Sequence, residues 1–134
     1  MPARWFTLDE ANALIPRLEM LMERLQRTVR MARGAASEAA PEPAARATVD
    51  VLRVRQDPGP YVSEIERIVG EIESLGCEFK DAALGLVDFP AMVEGRPALL
   101  CWQYGEKSLG FWHAQDEGFA GRRALASGRT PSLQ

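Results

Sequence analysis

The chain has 134 residues, 46% hydrophobic and 26% charged, a balance that excludes disorder throughout and leaves room for one continuous core rather than two. A net charge of −3 argues against nucleic acid, whose phosphate backbone is held by many cationic contacts. No apolar run approaches the roughly 20 residues of a membrane helix.

The opening "MPARWFTLDE" lacks the apolar stretch of a secretion signal, so bacterial cytoplasmic residence is expected. Thr7 and Glu10 fit a capping box, which starts a helix at Leu8. Apolar residues then recur as Leu8, Ala11, Ile15, Leu18, Met22, Leu25 and Val29, widened by Leu14 and Leu21 into a packing seam. Pro16 lies inside the seam without an N–H to donate, and the unbroken spacing predicts a kink there. The arginines at 17, 24, 27, 30 and 33 wind around this helix with Glu19 and Glu23 between them, which reads as a solvated face.

Residues 34–45, "GAASEAAPEPAA", read as a linker, and 46–57 fit either a helix or an alternating strand. "DPGP" breaks the chain. After it Tyr61, Ile65, Ile68, Ile72 and Leu75 form a second seam helix, with Gly76 at its C′ position. The period then changes to the short β-forming runs 84–90, 97–104 and 108–113, separated by turns at "EGR" and "GEK". The expected fold is α+β: a long antiparallel helical hairpin packed on a three-stranded antiparallel β-meander. The single domain 1–134 would divide into a helical part 7–76, a meander 77–125 and a flexible tail 126–134.

His113 is the only histidine, and Cys77 and Cys101 lie too far apart for a C-x-x-C metal pattern, so both thiols are expected to be reduced. A hairpin loop of even length puts Leu100, Trp102 and Tyr104 on one face with Leu109, Phe111 and His113, the face toward the helices. On that reading His113 is first a core-edge residue. Its chemical alternatives need carboxylate partners from Asp81, Asp88, Glu106, Asp116 and Glu117. Asp88 stands out because it interrupts the apolar run "GLVDFP", and a buried aspartate requires pairing. Asp88 and His113 are weak metal-ligand candidates, and either Asp88 or Glu106 could orient the imidazole for acid–base chemistry. In "GFAGRR", Arg122 and Arg123 beside two glycines could meet an anion, although a turn with solvated arginines is the plainer reading. No complete catalytic motif is present, and the balance leans away from an enzyme.

"FTLDEANALIP", "GLVDFPA" and "LCWQYGEKSLGFWHAQDEGFAGRRAL" resemble the bacterial domain-of-unknown-function family 2203, over Phe6 to Leu125. The positions that match its pattern include Asp81, Asp88, Cys101, Glu106, His113, Gly118 and Arg122, while Cys77 stands where an aliphatic residue belongs. The resemblance implies a small cytosolic protein and no particular reaction or cofactor. The polar members all fall in or beside the meander, which puts any functional surface there. The expected role is a structural or protein-interaction module. Small-molecule, anion or divalent-metal binding, possibly hydrolytic, at Asp81, Asp88, Glu106, His113, Glu117 and Arg122 is the alternative. A first helix of about 25 residues, about 37 Å long, outreaches such a sheet, so a homodimer through helix one is expected.

Overall fold

The computed structural model describes residues 4–39 and 59–125. Residues 40–45 of the expected linker, the ambiguous 46–57 stretch and the tail 126–134 lie outside the described residues.

The capping box forms: Glu10 N–H donates to Thr7 Oγ1 at 3.1 Å and Thr7 N–H to Glu10 Oε1 at 2.9 Å. The helix it starts, α1 (Leu8–Ala13), is short, and α2 (Ile15–Ala39) follows. The kink expected at Pro16 is therefore a restart. Proline cannot donate to the Asn12 carbonyl and its ring crowds that group, so the chain tightens at Leu14, whose N–H reaches Ala11 O at 3.1 Å. Residues 34–39, assigned above to a linker, continue α2, because the high helix propensity of alanine outweighs one glycine. The second seam helix is α3 (Gly59–Ser74), ended by Gly76 at φ +101°. The long hairpin expected from the seams is thus an interrupted first arm and a 16-residue second arm.

Helices α2 and α3 run antiparallel, since Arg17 meets Glu71 at 3.6 Å and Arg24 meets Glu64 at 3.0 Å. Two arginines of the supposed solvated face therefore tie the helices together. The first seam is buried at Ala11, Ile15, Leu18, Met22 and Leu25 and half-buried at Val29, against Ile68, Ile72 and the sheet. Over that length the apolar stripe finds its cover within the chain.

The sheet is an antiparallel meander, as expected, but of five strands in sequential order: β1 (Glu78–Asp81), β2 (Leu86–Val93), β3 (Arg96–Gln103), β4 (Phe111–Ala114) and β5 (Arg123–Ala124). The outer two are too short to display an alternating pattern. Glu94 and Gly95 both take positive φ, 53° and 78°, giving the two-residue hairpin turn whose twist matches that of the strands. This turn sets Val93 opposite Arg96, and so Asp88 opposite Cys101. The loop 104–110 between β3 and β4 has odd length, and Leu99 pairs with His113 and Cys101 with Phe111.

That register corrects the face assignment made above. Val87, Phe89, Ala91, Ala98, Leu100 and Trp102 face the helices, with Phe6 edge-on to Phe89 at 5.1 Å between centroids. Asp88, Cys101, Phe111 and His113 share the opposite face. Asn12 of α1 accepts from Leu109 N–H at 2.8 Å, and Gln26 of α2 donates to Ala82 O at 2.9 Å, so side chains anchor the helices to the strand connections. No helix among the described residues is long and apolar enough to cross a membrane.

Candidate functional site

The face turned away from the helices carries a buried polar group. Asp88 and His113 are each 2% exposed and Cys101 is 1% exposed. They converge because β3 lies between β2 and β4, and alternation sends all three side chains to one side. His113 Nε2 lies 2.9 Å from Asp88 Oδ2, and Nδ1 lies 2.8 Å from the Ala114 carbonyl. A carbonyl only accepts, so Nδ1 carries a proton. The Nε2–Oδ2 contact then holds one proton, either on the ring facing a carboxylate or on the acid facing a neutral ring.

One nitrogen, one sulfur and one carboxylate oxygen from these residues all lie within 4.8 Å of one another. Asp88 Oδ1 is buried and, among the described residues, has no hydrogen bond of good geometry, although the Cys101 thiol lies beside the carboxyl. A cavity of about 110 Å³ adjoins the group, with Lys80, Leu86, Glu117, Gly118 and Phe119 completing its wall. Burial pushes the Asp88 carboxyl above its ordinary range, and the His113 ring opposes that push. Burial first, and the Asp88 charge second, raise the Cys101 thiol to about 12. A thiol held protonated is a poor nucleophile, and both ring nitrogens of His113 are already engaged, so the trio lacks the geometry of an activated cysteine.

The other residues singled out from sequence serve this face unequally. Asp81 accepts from Leu84 N–H at 2.8 Å and shapes the β1–β2 turn. Glu106 receives Gln103 N–H at 2.8 Å and both its oxygens meet Arg122 Nη2, at 2.8 and 2.9 Å. Asp88, and not Glu106, is the acid paired with His113. Glu117 accepts from Ala114 N–H at 3.0 Å and pairs with Arg123 at 3.0 Å, while lining the cavity.

Of the two arginines of "GFAGRR", Arg122 is drawn in against the sheet, whereas Arg123 remains exposed. Arg122 also donates to Cys101 O at 3.1 Å and stacks over Phe111 at 4.0 Å and Phe119 at 4.9 Å. Arg123 lies over Trp112 at 4.9 Å. Neither is a bare anion receptor.

Sequence reasoning missed two participants, Cys101 and Lys80. Cys101 looks like an ordinary strand residue, yet the two-residue "EG" turn places it across from Asp88 and could have revealed it. Lys80 sits where the β1–β2 register shifts between Phe79 and Asp81, an irregularity with no local sequence sign.

Residues 4–125 match the model of a family described as "Uncharacterized conserved protein (DUF2203)". No curated protein matches, and neither does any solved structure.

Proposed function

Because the chain belongs to the DUF2203 family, whose description assigns no reaction, we propose a function from the site itself: Asp88, Cys101 and His113 bind a divalent transition-metal ion. The observation that carries this reading is the buried Asp88 Oδ1, which has no well-aligned hydrogen bond among the described residues, beside a ring nitrogen and a thiol. A buried carboxylate oxygen without a well-aligned donor is costly, and a cation would satisfy it. Mixed N, O and S donors favour zinc and its borderline neighbours over magnesium or calcium. The hydrogen bond from Nδ1 to Ala114 O is the outer contact that typically orients a histidine to ligate through Nε2. Tetrahedral coordination separates N and O ligands by about 3.3 Å, so the 2.9 Å Nε2–Oδ2 contact must open only slightly. The cavity side would leave room for water as a further ligand.

Titration calorimetry with zinc, paired with elemental analysis of the purified protein, tests the reading. One ion per chain, lost in both Asp88→Asn and Cys101→Ser, supports it. Failure of the wild-type chain to take up zinc, cobalt or nickel at micromolar concentration rejects it.

A second reading, interaction with another copy through α2, is favoured by Met20 and Met31, which are 59% and 52% exposed. Sedimentation at micromolar concentration decides it, and a monomeric mass defeats it. Cytoplasmic residence fits two buried thiols that are free of disulfide.

A further inference from the structure

Residues 115–122 pass over the Asp88–Cys101–His113 face between β4 and β5, and their attachment is uneven. Their backbone bonds are local: Glu117 N–H to Ala114 O, Gly121 N–H to Gly118 O and Arg122 N–H to Phe119 O. At its ends the segment is held where β4 pairs with β5 and where Leu125 N–H donates to Gly110 O at 2.8 Å. Between those ends Glu117 accepts from Ala114 N–H of β4 and pairs with Arg123 of β5 at the rim, while among the described residues the bonds down to the strand that carries Cys101 come from one side chain. Arg122 reaches Cys101 O and the Glu106 carboxylate, and its guanidinium stacks on Phe111 of the sheet and Phe119 of the segment itself. Phe119, which closes the cavity, is 39% exposed. A segment with local backbone bonds and an exposed outer surface opens at lower free energy than the core beneath it.

We infer that residues 115–122 are a cover over the cavity and that Arg122 is its latch: release of Arg122 from Glu106 and Cys101 O admits small solutes to the buried trio. Arg122 is thus a positioning residue. It contacts the backbone of the strand carrying Cys101 and the aromatic ring of the cover, and its charge lies near the Cys101 thiol. Gly121 lets the cover fold on itself, because a Cβ there would meet Glu117 Cβ, in the same segment, at 2.9 Å. The inference deepens the metal reading by supplying the route in, yet it is tested without metal.

The test uses two buried cysteines in one molecule. Cys101 lies under the cover, whereas Cys77 is buried near the end of α3, its thiol within 3.2 Å of Ile72 O. Iodoacetamide labelling of the metal-free full chain, resolved by peptide mass spectrometry, reports both at once. In Arg122→Ala, Glu106→Gln and Arg122→Lys, labelling of Cys101 should accelerate by about tenfold or more, with the lysine variant least affected, because charged hydrogen bonds and stacking are lost. Cys77 should keep its wild-type rate. Unchanged Cys101 labelling in all three variants overturns the proposal. A parallel rise of both cysteines in all three also overturns it, because Arg122 would then hold the whole fold and not a cover. If zinc fails to bind while Cys101 alone is released, the metal reading falls and the cover stands.

Discussion

The two faces of one sheet have opposite fates. Toward the helices, Val87, Phe89, Ala91, Leu100 and Trp102 meet two layers of apolar side chains, and the burial is hydrophobic throughout. On the other side, residues interleaved with these along the same strands include Asp88, Cys101 and His113, covered by a thin segment with an exposed outer surface. Alternation allows the eight residues of β2 to face the helices on one side and hold a buried polar group on the other. Stability belongs to one parity and the site to the other.

The largest blow to that division should come from the helix side. Phe89→Ala removes a fully buried ring and its Phe6 partner, and should lose about 3–5 kcal/mol in chemical denaturation. A comparable loss on the site side should require an unpaired charge or dipole rather than a cavity. Asp88→Ala strands His113 Nε2 and should cost about 3 kcal/mol, whereas Asp88→Asn can still donate to Nε2 and should fold with little loss. An Asp88→Ala variant as stable as the wild type would show that the pair contributes nothing.

Stability and binding should also separate with pH. The Asp88 carboxyl is raised above its unfolded value, so the folded chain retains that proton longer. Its contribution is full below the ordinary carboxylate pKa and declines as pH rises through the raised folded value. Asp88→Asn should flatten that slope. Zinc affinity should move the other way: Cys101, raised to about 12, must surrender its proton to ligate, so affinity should climb by up to about tenfold per pH unit for each proton released. Calorimetry between pH 6 and pH 8 measures this, and a flat profile would exclude the thiol as a ligand. The smallest effect is Thr7→Ala, about 1 kcal/mol for the lost cap, with zinc uptake unchanged.

Features legible in the sequence were those settled by near neighbours. The Thr7–Glu10 box, both seams and the Gly76 terminus follow from spacing within a turn or two. The α+β class and the antiparallel meander follow from the change of period after Gly76. Asp88 was conspicuous as a carboxylate inside an apolar run, and it does meet His113. The face of His113 depended instead on the parity of the loop 104–110, and one residue in a loop inverts a whole strand. Cys101 joined the site only through register, and Arg122 lost its supposed solvation only once the chain returned as β5.

Pro90 governs what else may touch this sheet. Strand β1 pairs with β2 only as far as Asp88, so among the described residues the outer edge of β2 beyond that point has no strand beside it. There the Pro90 carbonyl accepts from Phe6 N–H at 2.7 Å, and the missing proline N–H faces the same way. An intruding strand would find the acceptor taken and the donor absent. At Pro90 the β2 edge is thereby closed to intermolecular β-pairing, which leaves the short outer strands β1 and β5 as the edges where a further strand could add.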